Sequence, residues 1–534
     1  MKKIRTIIVA FKWRIAGVAV LSLCLWAALS GAPQELRDAT AGTTVTELTQ
    51  VLSRPADRSV GVNVLAPTDL EAYIEYGTAP GKYTGKTEVA RAKAKAPLQL
   101  EVTKLNPNTL YYYRLRHREP GSATYLAADE YSFHTQRPAG SSFIFDVQAD
   151  SHPERINRMF MPELYARTMA NVKKDRADFF ISLGDDFSID RGINGNITAE
   201  KVSQVYINQR QYMGMSGAST PIFLVNGSHE QGGRYLLDGT PNNPAIWAGN
   251  ARNIYFSQPA PDGFYTGDKE PVEFVGLIRD YYAWTWGDAL FVTIDPYWHS
   301  KVAVGTTFLA DTWHTNGEAA ADTSKGAGKA GGKAGGKGGG KGAADGAAAD
   351  GANDGGPKDQ WQITLGDAQY EWLRQTLQQS KAKYKFIFSH HVLGTGRGAV
   401  EMADLYEWGG RNNKGEWEFD KKRPGWELPV HQLMVKYGVS VFFQGHDHIF
   451  VKQGKDGIVY QEVPNPANPN NGQEPSDFRS SYKSGDMLPA SGHLRVSVSP
   501  QNAKVDYLWS WMPKDVSPEH QQGAVAFSYD VKPR

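Results

Sequence analysis

From Ser141 onward the chain reads as short apolar runs separated by helical stretches, and five of the six such runs before the C-terminal sheet edge bear on chemistry through Asp or His at their ends. "FIFDVQAD" leads into Asp150 and His152, and "ADFFISLGDD" into Asp185. "PIFLVNGSHE" carries Ser228, His229 and Glu230, "YKFIFSHH" carries His390 and His391, and "VSVFFQGHDH" carries His446 and His448. The sixth run is "ALFVTIDPYW". Helices are expected around Glu163 to Lys174, around Glu200 to Met215 and over "LGDAQYEWLRQTLQQS". The last places Tyr370, Leu373 and Leu377 on one stripe. Strands alternating with helices predict an α/β domain with buried sheets. "HLRVSVSP" and "KVDYLWSW" are expected to finish a sheet edge. Ligands bind beyond the carboxyl ends of strands in such sheets, where loops are free to specialise. Five strand ends that each deliver Asp or His are hard to explain as packing.

Upstream the period changes. From about Thr43 to Pro138, "SVGVNVLA" and "LEAYIEYG" alternate apolar and polar residues, and "LQLEVTKLNPNTLYYYRLRHR" gives two strands around an Asn-Pro-Asn turn. Several short strands at this spacing predict a small antiparallel β-sandwich of about 100 residues. With 534 residues in all, two or more domains are expected. The reading is a sandwich over 43–138 and an α/β domain over 141–534. His117 and His134 fall on strands of the sandwich, and surface positions are expected for them. Within the second domain, 316–356 is Gly, Ala and Lys with a few Asp. It has almost nothing large and apolar to bury, so a flexible insertion is expected there.

The N-terminus carries Lys2, Lys3, Arg5, Lys12 and Arg14, then the 16-residue apolar run Ile15 to Ser30 and no acidic residue. A basic start, a short apolar run and small residues at Ala28 and Ser30 predict an export signal over 1–30. The run is short of the ~20 residues that span a bilayer, which disfavours an uncleaved anchor. Export implies a periplasmic or secreted protein, with a membrane reached only through that segment if it is retained. The sole cysteine, Cys24, lies inside it, so the exported part has no disulfide or thiolate ligand. Five of the 58 basic residues lie in this segment, which leaves 53 basic against 57 acidic residues and a net charge of −4. That balance argues against bulk binding of nucleic acid.

Imidazole nitrogen together with carboxylate oxygen suits Zn, Fe or Mn rather than Ca or Mg. Spacings such as Asp150-x-His152 and His446-x-His448 let one turn aim two ligands into one cavity. A shared carboxylate can hold two cations about 3.5–4 Å apart and so clamp the attacking and leaving oxygens of a phosphoryl transfer.

In this ordered set the chain resembles the calcineurin-like metallophosphoesterases. Their pattern is Asp-x-His, Gly-Asp, Gly-Asn-His-Asp/Glu, His, then Gly-His-x-His. The resemblance implies a two-sheet metallophosphoesterase sandwich flanked by helices. It implies that Asp150, His152 and His448 hold one metal, that Asp185 bridges, and that His390 and His446 hold the second. Ser228 stands where the family has an Asn ligand, so the second site is expected to be weaker. His229 would be the non-ligand acid and Glu230 the carboxylate that orients it. His390 is preferred to His391 because the family ligand precedes a Pro by two places, here Val392.

"LNPNTLYYYRLR" followed by "EYSFHT" resembles the fibronectin type III-like N-terminal domain of purple acid phosphatases. The metal motifs depart from that family. Ser188 stands where those enzymes have their iron-bound Tyr, and they lack a His at the place of His152. A colourless enzyme is therefore expected.

Arg397, in the Gly-rich "GTGRG", is a candidate for binding substrate phosphate, weighed equally against an ordinary surface Arg. The three Trp of Tyr406 to Trp426 are read first as packing under a long loop. Asp186 and Asp190 are read as solvent-facing or as partners of the ligands, and Asp288 as a turn residue. His299, His314, His431, His493 and His520 are read as structural or exposed. The expected function is hydrolysis of phosphate monoesters or diesters of a small phosphorylated substrate by a metal-bound hydroxide. The alternatives are a nucleotide or pyrophosphate hydrolase using the same site, and a non-catalytic binding protein with a degraded second metal site.

Overall fold

The computed structural model describes residues 43–190, 197–230, 233–304, 359–470 and 477–534. The expected export signal, His314 and the expected insertion over 316–356 lie outside them. The alternating segments near the start form two antiparallel sheets. One pairs Thr49–Ser53, Val60–Leu65 and Leu98–Val102; the other is built on Leu70–Gly77 against Leu110–Arg118. Their inward residues, among them Val60, Val62, Val64, Ile74, Tyr113 and Leu115, make one core. His117 and His134 sit on strands, as expected.

Downstream, two larger sheets stack face to face. The first contains β1 (Phe143–Gln148), β2 (Phe179–Ser182), β3 (Ile222–Leu224) and, near the C-terminus, β10 (Ser491–Val498), β11 (Ala503–Ser510) and β12 (Val525–Val531), in the order β3-β2-β1-β10-β11-β12. The second runs β4 (Tyr282–Trp286), β5 (Ala289–Thr293), β6 (Tyr384–Phe388), β7 (Val441–Gln444), β9 (Ile458–Glu462) and β8 (Phe450–Lys455), with short strands at either end. The strands β1, β2 and β3 are parallel, as are β5, β6, β7 and β9. The segments 491–498 and 503–510 are interior strands rather than the edge. They pair with β1 and with each other, and β12 forms the edge.

Alternation along each strand separates the layers. Phe145, Phe179, Phe291, Phe386, Phe388 and Phe443 meet between the sheets, while Phe180, Ile387 and Phe442 face outward under helices. The rings of Phe145 and Phe291, from opposite sheets, meet edge to face with centroids 5.1 Å apart, an arrangement that the ring quadrupoles favour. Over the first sheet lie α1 (Pro162–Asp175), α2 (Ala199–Gly217) and α3 (Pro244–Tyr255). Pro opens α1 and α3; Thr198 and Asn243 cap α2 and α3 by accepting backbone N–H bonds. Over the second lies α4 (Asp367–Gln379), which buries Tyr370, Leu373 and Leu377 as its spacing predicts. Trp408 and Trp426 pack beneath their loop, whereas Trp417 is exposed. No helix among the described residues is long and apolar enough to cross a membrane.

Candidate metal centre

The carboxyl ends of β1, β2 and β3 from one sheet and of β6 and β7 from the other open onto the same place. Two groups of potential ligands form there, Asp150 with His152 and His448, and Asp185 with His390 and His446; within each group one ligand atom per residue lies within 4.8 Å of the others. Five of these six residues have left-handed backbone: Asp150 (φ 60°), His152 (48°), Asp185 (58°), His446 (77°) and His448 (64°). Such conformations cost on the order of 1–3 kcal/mol each and persist where the surroundings over-determine them. Here they turn the chain back as each strand ends, so that alternate side chains point into one cavity.

Close approach of the loops does the rest. A Cβ on Gly184 would strike the backbone of Gly227, and one on Gly227 would strike the backbone nitrogen of Asp185. Glycine at both places lets the β2 and β3 ends touch. The backbone N–H of His229 then donates to Asp185 Oδ1 at 2.9 Å, and that of His446 donates to Asp150 Oδ2 at 2.9 Å.

Ligand atoms from different strands face one another. The Nε2 atoms of His152 and His448 lie 3.1 Å apart, and His446 Nδ1 lies 3.3 Å from His390 Nε2. His390 Nε2 is 3.1 Å from Asp185 Oδ2, and His448 Nε2 is 3.5 Å from Asp150 Oδ1. Tetrahedral donors on bonds of about 2.0–2.1 Å stand roughly 3.3 Å apart, so these separations fit shared cations. Asp185 Oδ2 also stands 3.7 Å from His152 Nε2, which gives the carboxylate reach toward both groups.

His390 Nδ1 donates to the Leu183 carbonyl at 3.0 Å, which leaves Nε2 for the cavity. His391 instead faces the Tyr297 hydroxyl, 3.2 Å from its Nδ1, and belongs to neither group. Burial holds His152 below its ordinary pKa and His446 and His448 well below theirs, which favours the neutral imidazole that ligates. Burial pushes the Asp150 carboxyl well above the usual range; His390 opposes this and Asp185 adds to it. Burial acts in the same sense on Asp185, but His390 and His229 overcome it and hold that carboxyl well below the usual range.

Ser228 and Glu230 make contacts that the sequence pattern does not foretell. Ser228 directs its hydroxyl to Asp185 Oδ2 at 3.1 Å, so it donates to the carboxylate expected to bridge. Glu230 does not orient His229. Its carboxylate accepts from the backbone N–H groups of Gly227 at 2.6 Å and Asp186 at 2.7 Å, and so braces the turn. The partner of His229 Nδ1 is Asp190, with Oδ2 at 2.7 Å. Asp186 and Asp190 are both buried, so neither faces solvent. Burial opposes the charged imidazole of His229, but Asp190 and Asp185 together push its pKa up to about 9. Its Nε2 lies 3.9 Å from Asp185 Oδ2, facing the cavity.

Arg397 is paired with Asp447 and donates to the His446 carbonyl at 3.2 Å, so it anchors the Gly-His-Asp-His turn instead of standing ready for a phosphate. Sequence reasoning also passed over Glu154, whose Oε1 lies 2.9 Å from His152 Nδ1. A carboxylate two residues after a ligand His was the available signal. Ser188, at the place of the iron-bound Tyr, is buried and cannot supply a phenolate.

No family model and no curated protein matches the chain. Solved structures that share its fold include the following two. The purple acid phosphatase PPD1 from yellow lupin (Lupinus luteus) seeds aligns with a TM-score of 0.54 and 13% identity, over 90% of this chain and 74% of that one. A structure of PhoD aligns with a TM-score of 0.56 and 13% identity, over 91% of this chain and 88% of the other.

Proposed function

We propose that the protein is a metal-dependent phosphoric ester hydrolase, with Asp150, His152 and His448 holding one ion, His390 and His446 the other, and Asp185 shared between them. The observation that carries this reading is the pair of Asp/His groups that meet where two sheets end, with ligand separations of 3.1–3.5 Å and a carboxylate between them. The fold shared with a purple acid phosphatase supports it. Zn, Fe or Mn fits the donor set, and two such ions would lower the pKa of water and neutralise phosphoryl charge.

The chain's own residues do the remaining work. His229 presents Nε2 to the cavity while Asp190 fixes Nδ1, which suits donation of a proton to the leaving oxygen. Glu230 keeps the turn that carries His229 in place. Ser228 donates to Asp185, and this draws electron density from a ligand of both ions. We extend the proposal to the division of the chain: an export signal over 1–30, a fibronectin type III-like sandwich over 43–138 and the hydrolase domain over 141–534. The substrate is a small phosphorylated molecule rather than nucleic acid. The test is turnover of nitrophenyl phosphate mono- and diesters by metal-stripped protein to which Zn, Mn or Fe is returned. Hydrolysis that requires the added ion and falls by ~10²–10⁴-fold in His229→Ala supports the reading. Tight metal uptake with no turnover of any phosphate ester or anhydride would instead identify a non-catalytic binding protein.

A further inference from the structure

A second place in the fold gathers a carboxylate pair and an imidazole. Asp146 lies in the middle of β1 between Phe145 and Val147, which face the inter-sheet core, so its own side chain faces outward toward the helices. β10 pairs with β1 through Asp146↔Arg495 and Val147↔Leu494, which puts His493 and Arg495 on that same outward face. Asp175 is the last residue of α1. One ligand atom from each of Asp146, Asp175 and His493 lies within 4.8 Å of the other two.

The partners of these groups are unequal. Asp175 Oδ2 lies 2.8 Å from His493 Nε2, and Asp175 Oδ1 accepts from Arg495 Nη1 at 2.9 Å. Asp146 is 0% exposed, and neither of its carboxylate oxygens meets a donor; His493 is 0% exposed as well, and its Nδ1 meets no partner. A carboxylate taken out of water with no donor is among the least tolerated arrangements in a protein interior. Arg495 does not relieve it. Its guanidinium is spent on Asp175 and, through Nη2 at 2.9 Å, on Asp506, which Lys504 also pairs at 2.9 Å.

We propose that Asp146, Asp175 and His493 form a third cation site, separate from the strand-end centre, that takes one divalent transition ion such as zinc. One nitrogen and two carboxylates are a donor set that suits Zn or Mn over Ca or Mg. Three protein donors and a water would complete a four-coordinate shell. The ion would satisfy Asp146 and tie the C-terminal turn of α1 to β1 and β10, four residues upstream of Asp150. The Asp175 side chain is 7% exposed and that of Arg495 26%, so the site has an edge from which an ion can enter. Burial and then Asp175 push the Asp146 carboxyl well above the usual range, against Arg495, so a proton is the competing occupant. Uptake should weaken as the medium becomes acid.

Full-length protein stripped by chelator and dialysed against zinc should hold one equivalent more per chain than Asp146→Asn or His493→Gln treated alike. Zinc should also raise the melting temperature of the natural protein by more than that of either variant. Equal zinc content in all three proteins would overturn the proposal. Should either variant fail to fold, anomalous scattering at the zinc edge from crystals of the natural protein decides: a peak between Asp146 and His493 supports the site, and no peak there overturns it. Ions at the strand ends give separate peaks, so this outcome does not depend on the catalytic reading.

Discussion

His229 Nδ1 and Asp190 Oδ2 lie 2.7 Å apart, both buried, with His229 Nε2 turned to the cavity. A carboxylate at one ring nitrogen fixes the tautomer and orientation of the other. Asp190→Asn keeps the shape and removes the charge, so it should lower kcat toward nitrophenyl phosphates by roughly 10²-fold with metal content unchanged. His229→Ala should cost ~10²–10⁴-fold. Because the pair acts as a unit, the double variant should be no slower than His229→Ala alone. Additive losses in that cycle would show that Asp190 works independently of His229.

Ser228 donates to Asp185 Oδ2 at 3.1 Å and replaces the Asn that the family motif would put at the second metal. On the proposed reading a second ion would draw on Asp185, His390 and His446 without a ligand from this position. Titration of stripped protein with Mn or Zn should show one tighter and one weaker strand-end site. Ser228→Asn should tighten the weaker one by about 10–100-fold and lower the metal concentration for half-maximal rate. Identical isotherms for the two proteins would mean that the shell is already complete.

The strand ends were legible because each candidate ligand follows a buried apolar run, and a strand's end is where a polar pair has no packing explanation. The groups that support the candidate ligands were less so. Asp190 lies five residues past Asp185, across a stretch without strand or helical period, and only the fold brings it to His229. The register gave no hint that Glu230 turns back onto the N–H groups of Gly227 and Asp186. Arg397 looked available on a Gly-rich loop because Asp447, its partner, is 50 residues away in sequence. The interior position of β10 and β11 was hidden for a similar reason: strand order within a sheet is set by long-range pairing with β1, which local alternation does not encode.

Asp150 accepts the His446 N–H through both oxygens, at 2.9 and 3.1 Å, and it also belongs to the first ligand group. Its two functions can be separated. Asp150→Asn retains an acceptor for the turn but lacks the anionic ligand, whereas Asp150→Ala loses both. Both variants should lose activity and the first ion by elemental analysis. Only Asp150→Ala should also be destabilised in the metal-stripped state, by about 1–3 kcal/mol for the unsatisfied buried donor. Normal metal content in Asp150→Asn would remove Asp150 from the ligand set.

Arg210 is a further concentrated polar group among the described residues, and it concerns how the N-terminal sandwich is held. It lies on α2, is 1% exposed, and spends its guanidinium on neutral acceptors. Nε donates to the Thr49 hydroxyl at 2.8 Å, Nη1 to Asn63 Oδ1 at 2.8 Å and the Tyr255 carbonyl at 2.6 Å, and Nη2 to the carbonyls of Asn63 at 3.0 Å and Thr49 at 3.3 Å. Thr49 and Asn63 belong to the first sheet of the sandwich, and Tyr255 ends α3. The five bonds use the planar fork in a way that a lysine ammonium cannot. Arg210→Lys should therefore behave as a non-conservative change. Both Arg210→Lys and Arg210→Ala leave buried carbonyls without donors, and each should lower unfolding free energy by roughly 2–4 kcal/mol. Denaturant midpoints of the full chain measure this. Because none of the candidate metal ligands is among Arg210's partners, turnover per folded molecule should stay near that of the natural protein. A loss of activity without a loss of stability would show that the sandwich acts on the site rather than merely docking beside it.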